Sequence, residues 1–389
     1  MANGSQLSPT LLFILALGNF AVDMGAFVVI GMIEPVAEGL SVTPGTAGTL
    51  LTVYALAYAL LSPLLVALTG RMGRRRVLAG GLSLFASAAL LGALAPSFTV
   101  LAATRILAAA GAGVVTPVTA AIVAGLAPPA HRAKSLAAVL LGITLSQALG
   151  IPAGSWVAYT FGWRTALLVV VVLAAAVTLL VLARVPKGLS FQASTLQDLA
   201  GVLRDGRMML AIAFTATFLA AIFLLYTYMA PLLSRSMGFG RDEISLILFT
   251  FGLGAVVGNF LGGALADRFG AGPTLVALTM TQVAALPLFS YLPVPWALLF
   301  GWTLLWSTIC HSFGAAQQLR LVELAGTQAP VALALNASAI YLGSALGSGL
   351  GAATIALAGY SALGFTAAGV MLAALVNLQA SRRLSPQPA

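Results

Sequence analysis

Charge is what this sequence of 389 residues has least of: Asp, Glu, Lys and Arg together make up 7% of it, where soluble globular chains carry roughly a quarter. Water is therefore not its main solvent. A single cysteine, Cys310, excludes an intrachain disulfide and any dependence on an oxidising compartment. With only His131 and His311 as histidines, no metal-ligand cluster and no GxxxxGK[ST] stretch, zinc catalysis and ATP hydrolysis have no apparatus. No enzyme chemistry and no metal site is expected. The alternating apolar pattern of membrane β-strands is missing too, which leaves helices as the way across a bilayer. The net charge of +9 raises the question of nucleic acid, but the 18 basic residues are scattered over short loops and make no phosphate-binding stripe.

What the chain does have is apolar length. Hydrophobic residues make up 60% of it, and the mean hydropathy is +1.06. Runs of about 20 apolar residues recur, each long enough to cross a hydrocarbon core while satisfying its own backbone hydrogen bonds. Reading between charge clusters and Pro/Gly breaks gives twelve candidate spans: 11–33, 46–69, 78–95, 98–123, 135–158, 163–183, 208–232, 244–266, 273–292, 296–319, 329–357 and 361–380. The opening "MANGSQLSPT" lacks a basic stretch and the run after it is too long for a signal peptide, so span 1 is expected to be retained.

Orientation comes from the cations. With a cytoplasmic N-terminus, 14 basic residues face the inner side, among them Arg71, Arg74, Arg132, Arg184, Arg268, Arg320 and Arg382. The outer side keeps three, Arg164, Arg235 and Arg241. The positive-inside rule thus predicts both termini in the cytoplasm. The longest polar interval, 184–207, separates two sets of six spans, 1–183 and 208–389, and reads as a cytoplasmic linker. Within it "STLQDLAGVL" spaces Leu196, Leu199 and Leu203 for a short amphipathic helix on the inner surface, though a plain solvated linker fits as well.

An internal repeat points to the architecture. "VALTGRMGRRR" (66–76) lies after span 2 and "GALADRFGAGP" (263–273) after span 8; aligning Gly73 with Gly270 sets the copies 197 residues apart, about half the chain. The chain is therefore a duplicated six-helix unit. "GALADRFG" resembles the G-x-L-a-D-r-x-G signature of the major facilitator superfamily, and the first copy keeps Leu68, Arg71, Gly73 and Arg74 of the pattern. "RILAAAGAGVVTP" from Arg105 is similar to the superfamily's Arg-containing motif of span 4. "GITLSQALGIPAG" resembles the antiporter motif of its drug:proton antiporters, with Gly142, Gly150, Pro152 and Gly154 in register. "FGWR" (161–164) and "LAPSF" (94–98) are similar to bacterial twelve-span efflux permeases of the drug and sugar-efflux type. The resemblance covers the whole chain. It implies a twelve-helix fold of two pseudo-symmetric halves in a bacterial inner membrane, a monomer, and a proton gradient in place of any cofactor. It also implies gating at the inner surface by Arg71, Gly73, Arg74, Gly263, Asp267, Arg268 and Gly270, although for the first basic cluster a purely orienting role fits as well. The first copy departs from the pattern, with Gly70 where an Asp is usual and Val66 where a Gly is usual, so one acid of the inner gate is missing.

Nine acids exist, and eight fall at or beyond span ends; Asp23, in "GNFAVDMGAFVVIGMIEP", stands alone at mid-membrane. A charged carboxylate there costs about 2.5–3.5 kcal/mol on insertion scales, so it should face the bundle interior, protonated or beside a cation. Such a group can take up and release a proton, and it can equally be a structural acid hydrogen-bonded to neighbouring helices. Counting along one continuous α-helix, the eleven residues from Asp23 to Glu34 turn about 1100°, within about 20° of three full turns. Asn19, Asp23 and Glu34 would then share a face, the two acids about 16 Å apart. Arg105 lies too deep to reach water and is expected to pair with Asp23 or Glu34; contact with backbone carbonyls alone would make it structural. The small residues Gly142, Gly150 and Gly154, with Pro152, are expected to pack span 5 along the interface between the halves.

Substrate contacts are expected from the polar and amphipathic side chains near cavity depth, namely Asn19, Tyr54, Tyr58, Gln147, Tyr226, Tyr228, Asn259, His311, Asn336 and Tyr341. His311 suits either a proton relay or a structural hydrogen bond. The reading that results is a secondary transporter exporting a small molecule by proton antiport and alternating access. A proton-coupled importer or facilitator, and a non-transporting membrane receptor, are the alternatives.

Overall fold

A computed structural model describes residues 8–128, 131–189 and 201–384. The helix expected over 194–203 lies mostly outside the described residues. Eleven helices among them are long and apolar enough to cross a membrane: α1 Pro9–Gly39, α2 Pro44–Leu68, α3 Arg74–Ala93, α4 Phe98–Leu126, α5 Lys134–Phe161, α6 Trp163–Arg184, α7 Gly206–Met237, α8 Arg241–Phe269, α9 Ala271–Ser290, α11 Val331–Ala358 and α12 Tyr360–Leu384. Between α9 and α11 lies α10, Trp296–Ala325, which is as long but is diluted by Trp, Ser and Thr residues and by His311. The twelve spans expected from the sequence are thus all helical, with edges moved by a few residues.

Local chemistry explains where helices begin. The Ser8, Thr43 and Ser97 side chains accept from the backbone N–H groups of Leu11, Thr46 and Val100, capping α1, α2 and α4. Asp205 caps α7 in the same way through Arg207 and Met208. Turns between adjacent helices use glycine where the backbone has positive φ: Gly162 at +85° between α5 and α6, and Gly359 at +79° between α11 and α12. These two are also 197 residues apart. The repeat read from the two basic-end motifs therefore extends to the other side of the protein.

The halves meet along two seams that the repeat relates to each other, α2 against α11 and α5 against α8. Among the described residues, hydrogen bonds between the halves lie at mid-depth or toward the end that holds the α5–α6 and α11–α12 turns, here called the far end. Arg241 Nη1 donates to Thr160 Oγ1 at 3.2 Å, Ser348 Oγ to the Gly48 carbonyl at 2.9 Å, and Asn259 Nδ2 to Thr144 Oγ1 at 3.3 Å. At the opposite, basic end the printed bonds of three arginine residues stay within one half or reach the start of the linker. The Arg75 guanidinium donates to the Leu182 carbonyl, the Arg74 backbone N–H to the Leu189 carbonyl at 2.9 Å, and Arg320 Nη2 to Ser381 Oγ at 2.6 Å.

Helix α1 is not continuous. It is α-helical over Pro9–Phe27, 3-10 over Val28–Met32 and α-helical again over Ile33–Gly39. A 3-10 residue turns about 120° instead of 100°, so five of them rotate the remainder of the helix by roughly 100°. The single-helix count that put Asp23 and Glu34 on one face does not apply.

Candidate functional site

The break in α1 builds the site. Carbonyls in its last α-turn and in the 3-10 segment need donors from elsewhere in the bundle, because lipid offers none. Arg105 of α4 donates Nη1 to Gly25 O at 2.8 Å and Nη2 to Ala26 O at 2.7 Å, and Ser155 of α5 donates to Gly31 O at 2.8 Å. The guanidinium also lies over the Tyr54 ring, 4.4 Å from its centroid. The expected ion pair between Arg105 and an acid is not formed; among the described residues the one ion pair is Arg241–Asp242 at the far end. A cation aimed at helix-terminal carbonyls meets the negative end of the helix dipole, which is what replaces the carboxylate.

Asp23, one turn before the break, is 5% exposed. The hydroxyl that faces it is Ser146 of α5, and both Asp23 Oδ2 and Ser146 Oγ are buried without a hydrogen-bond partner. Ser146 opens a π-helical turn, Ser146–Gly150, in which the Ile151 N–H bonds back to Ser146 O. The irregularity has a covalent cause, since Pro152 lacks the N–H that an α-helix would direct to Ala148. Asp23 also lies within electrostatic reach of Tyr54, Tyr58, Tyr226 and Tyr341. The carboxylate therefore sits where α1, α2, α5, α7 and α11 converge.

Aromatic rings extend from there across both halves. Tyr58 of α2 and Tyr341 of α11 stack at 3.6 Å between centroids, Phe27 stacks on Phe223 at 5.4 Å, and Tyr226 stacks on Phe251 at 3.9 Å. Phe251 in turn contacts Trp306 and, edge-on at 5.3 Å, His311. Four of the expected contact residues, Tyr54, Tyr58, Tyr226 and Tyr341, are brought together around Asp23. The sequence reading missed Phe27, Ser146, Phe223, Phe251 and Trp306. Phe27 and Ser146 were within reach, each being part of a stretch already singled out.

Other expected residues have different work. Asn19 Oδ1 accepts from Thr116 and its Nδ2 donates to Val139 O at 3.2 Å, tying α1 to α4 and α5. Asn336 accepts from Thr215 Oγ1 at 2.6 Å, and Gln317 donates to the same hydroxyl, a buried network joining α7, α10 and α11. Asn259 is spent on Thr144 at the α5–α8 seam. The Tyr228 hydroxyl donates to Ser348 O at 2.9 Å near the far end. His311 Nδ1 lies 2.9 Å from the Ser307 carbonyl one turn back, in its own helix. Gln147 belongs to the α5–α8 seam through its backbone, whose carbonyl a Cβ on Gly252 would strike.

The motif glycines separate into two kinds. A Cβ on Gly142 would collide with the Ala16 carbonyl, one on Gly154 with Val28, and one on Gly150 would press Phe20 and Met24. All three pack α5 on α1 within one half, contrary to the expected place between halves; at the α5–α8 seam the close approach is made by Gly252 of α8. Gly73 and Gly263 face open space, while Gly270 ends α8 at φ +82°. Asp267 and Arg268 are exposed at the basic end, and Asp267 forms no ion pair among the described residues. Arg71 is exposed there as well.

Glu34 is set apart from Asp23. It lines a far-end cavity of about 670 Å³ with Glu38, Tyr159 and Trp163, and accepts a hydrogen bond from the Tyr159 hydroxyl at 2.8 Å.

Known proteins resemble this chain over its full length. A sequence model of the Major Facilitator Superfamily matches residues 15–240 and 210–389. The chain is 32% identical over 347 residues to a chloramphenicol resistance protein of Streptomyces lividans, covering 85% of this chain and 87% of that one. It is 28% identical over 379 residues to the inner membrane transport protein YdhP of Escherichia coli, covering 97% of each. Among solved structures, a D-xylose-proton symporter superposes with a TM-score of 0.77 at 18% identity, covering 97% of this chain and 98% of that one. At that identity the likeness concerns the fold.

Proposed function

Given that the chain belongs to the major facilitator superfamily, and is thus a multi-pass membrane transporter of small molecules rather than an enzyme, we propose that it exports its substrate by proton antiport. The observation that carries this is Asp23, a buried carboxylate with an unpartnered oxygen, at the meeting point of helices from both halves. Ionised, it presents one negative charge to the aromatic cluster. Protonated, it can donate to Ser146 and lets α1 and α5 repack without an exposed charge. A proton drives transport only if it binds the two conformations with different affinity, and a carboxylate whose surroundings include tyrosines of both halves would change its environment as the halves move. One pH unit across the membrane then supplies about 1.4 kcal/mol per proton.

Arg105 takes a positioning role in this scheme. It holds the break in α1 and hence the placement of Asp23. The basic end is assigned to the cytoplasm and the membrane to a bacterial inner membrane, in keeping with YdhP. The halves are taken as 1–183 and 208–389 with the linker between, and the working unit as a monomer. With that orientation, the Arg241–Thr160 and Ser348–Gly48 bonds between the halves fit a conformation closed to the outside, and substrate is taken to enter from the cytoplasmic side. Chloramphenicol, named for the Streptomyces relative, is the first substrate to test.

The experiment is transport in proteoliposomes with an internal pH dye. Antiport predicts that loading chloramphenicol against an imposed pH gradient dissipates that gradient. Movement of proton and substrate in the same direction overturns export by antiport and favours import. Absence of movement, with counterflow absent too, removes chloramphenicol and returns the search to a wider panel.

A further inference from the structure

Helices α9, α10 and α12 of the second half bring three positive features together at the basic end. Arg320 of α10 is 5% exposed. Its Nη2 donates to Ser381 Oγ of α12 at 2.6 Å, and its Nη1 is buried with no hydrogen-bond partner. The next residue of α12, Arg382, lays its guanidinium against the first turn of α9, where a Cβ on Gly272 would stand 3.4 Å from Nε and 3.8 Å from Nη2. Helix α9 starts at Ala271 without a side-chain cap, so its first N–H groups also lack an acceptor from their own helix.

None of the three charges is where it is favoured. A guanidinium at a helix start meets the positive end of the dipole, the two guanidinia repel each other, and a buried cation is costly to leave without a counter-charge. Among the described residues no acid lies within ion-pair distance of Arg320 or Arg382. Asp267 at the end of α8 and Glu323 one turn beyond Arg320 are exposed, and neither forms an ion pair there. In the first half, by contrast, Arg75 reaches across to α6 and finds the Leu182 carbonyl. What would satisfy the second half is an acceptor that carries negative charge and several oxygens. Two guanidinium forks beside the N–H groups of a helix start suit a phosphate group.

We propose that Arg320, Arg382 and the start of α9 form a binding site for a phosphate oxyanion at the basic end of the protein. The chemistry is shared by soluble inorganic phosphate and by the phosphodiester of an anionic lipid headgroup. The site does not rest on the antiport reading, because it needs neither Asp23 nor a proton gradient.

The test uses the full chain in dodecyl maltoside with two probes, inorganic phosphate followed by calorimetric titration and phosphatidylglycerol followed by native mass spectrometry. Saturable binding of phosphate, or retention of phosphatidylglycerol in preference to phosphatidylcholine, is expected. Either should weaken at least tenfold in Arg320→Gln and several-fold in Arg382→Gln, whose exposed position serves if the buried variant fails to fold. Arg383→Gln, at the neighbouring exposed arginine, should bind as the parent chain does. Phosphate binding that survives added phosphatidylglycerol identifies a soluble oxyanion as occupant. Phosphate binding abolished by that lipid, or lipid retention without phosphate binding, identifies the headgroup. No binding of either probe, undiminished binding by the Arg320 and Arg382 variants, or equal weakening by Arg383→Gln overturns the proposal.

Discussion

Tyr228 of α7 fills the space that a side chain on Gly48 of α2 would need. A Cβ on Gly48 would overlap the ring edge and stand 2.5 Å from the hydroxyl oxygen, and a Cβ on Gly351 of α11 would meet the other edge. The same hydroxyl donates to Ser348 O, and Ser348 Oγ donates on to Gly48 O. One phenol ring, seated between two glycines, thus fastens α7 to the seam between the halves near the far end.

Gly48→Leu is expected to expel that ring and open the far end. Spin labels on either side of the α2–α11 seam should report a wider far-end distance distribution than in the parent chain, and Gly48→Leu/Tyr228→Ala should restore it in part. An unchanged distribution would mean that Tyr228 fills space without holding the seam.

Asp23→Asn removes the titratable group while keeping its shape. Uphill, gradient-driven transport is expected to fall at least tenfold while substrate counterflow, which needs no net proton movement, survives. Because the Asn side chain cannot ionise, whatever counterflow remains should lose its dependence on pH. Full gradient-driven transport by Asp23→Asn would eliminate this residue as the proton carrier.

Arg105→Ala leaves the carbonyls of Gly25 and Ala26 without their donors, and each unpaired buried acceptor costs about 1–3 kcal/mol. A drop of several degrees in the thermal denaturation midpoint is expected, with Arg105→Lys intermediate, since an ammonium cannot span both oxygens as the guanidinium fork does. An unchanged midpoint would show that the break in α1 holds without it.

Gly142 and Gly263 form a matched pair. Gly142→Ala drives a methyl group into the Ala16 carbonyl and is expected to destabilise by about 1–3 kcal/mol. Gly263→Ala points into open space within α8 and is expected to be neutral or to stabilise by up to about 1 kcal/mol. Thermal denaturation in one detergent compares them directly, and equal destabilisation would contradict the packing described.

Much of the fold was legible because each span must solve the lipid problem by itself. Apolar length sets where a helix crosses, and the offset of 197 residues between the two basic-end motifs returned in the Gly162 and Gly359 turns. The site was legible in part. Tyr54, Tyr58, Tyr226 and Tyr341, singled out from the sequence, come together near Asp23, while Tyr228 and Asn336, chemically indistinguishable from such residues in one dimension, fasten helices.

By itself the sequence determined the solvent, the twelve crossings, the duplication and the single deep carboxylate, because all four depend on composition and local order along the chain. Tertiary structure alone decided the partner of Arg105, the separation of Glu34 from Asp23, and the membership of the aromatic cluster. Each of those turns on where an α-helix stops being α. Five 3-10 residues in α1 and five π residues in α5 rotate everything beyond them. Such breaks are held by donors and packing from helices distant in sequence, among them Arg105, Ser155 and the glycines of α5 against α1.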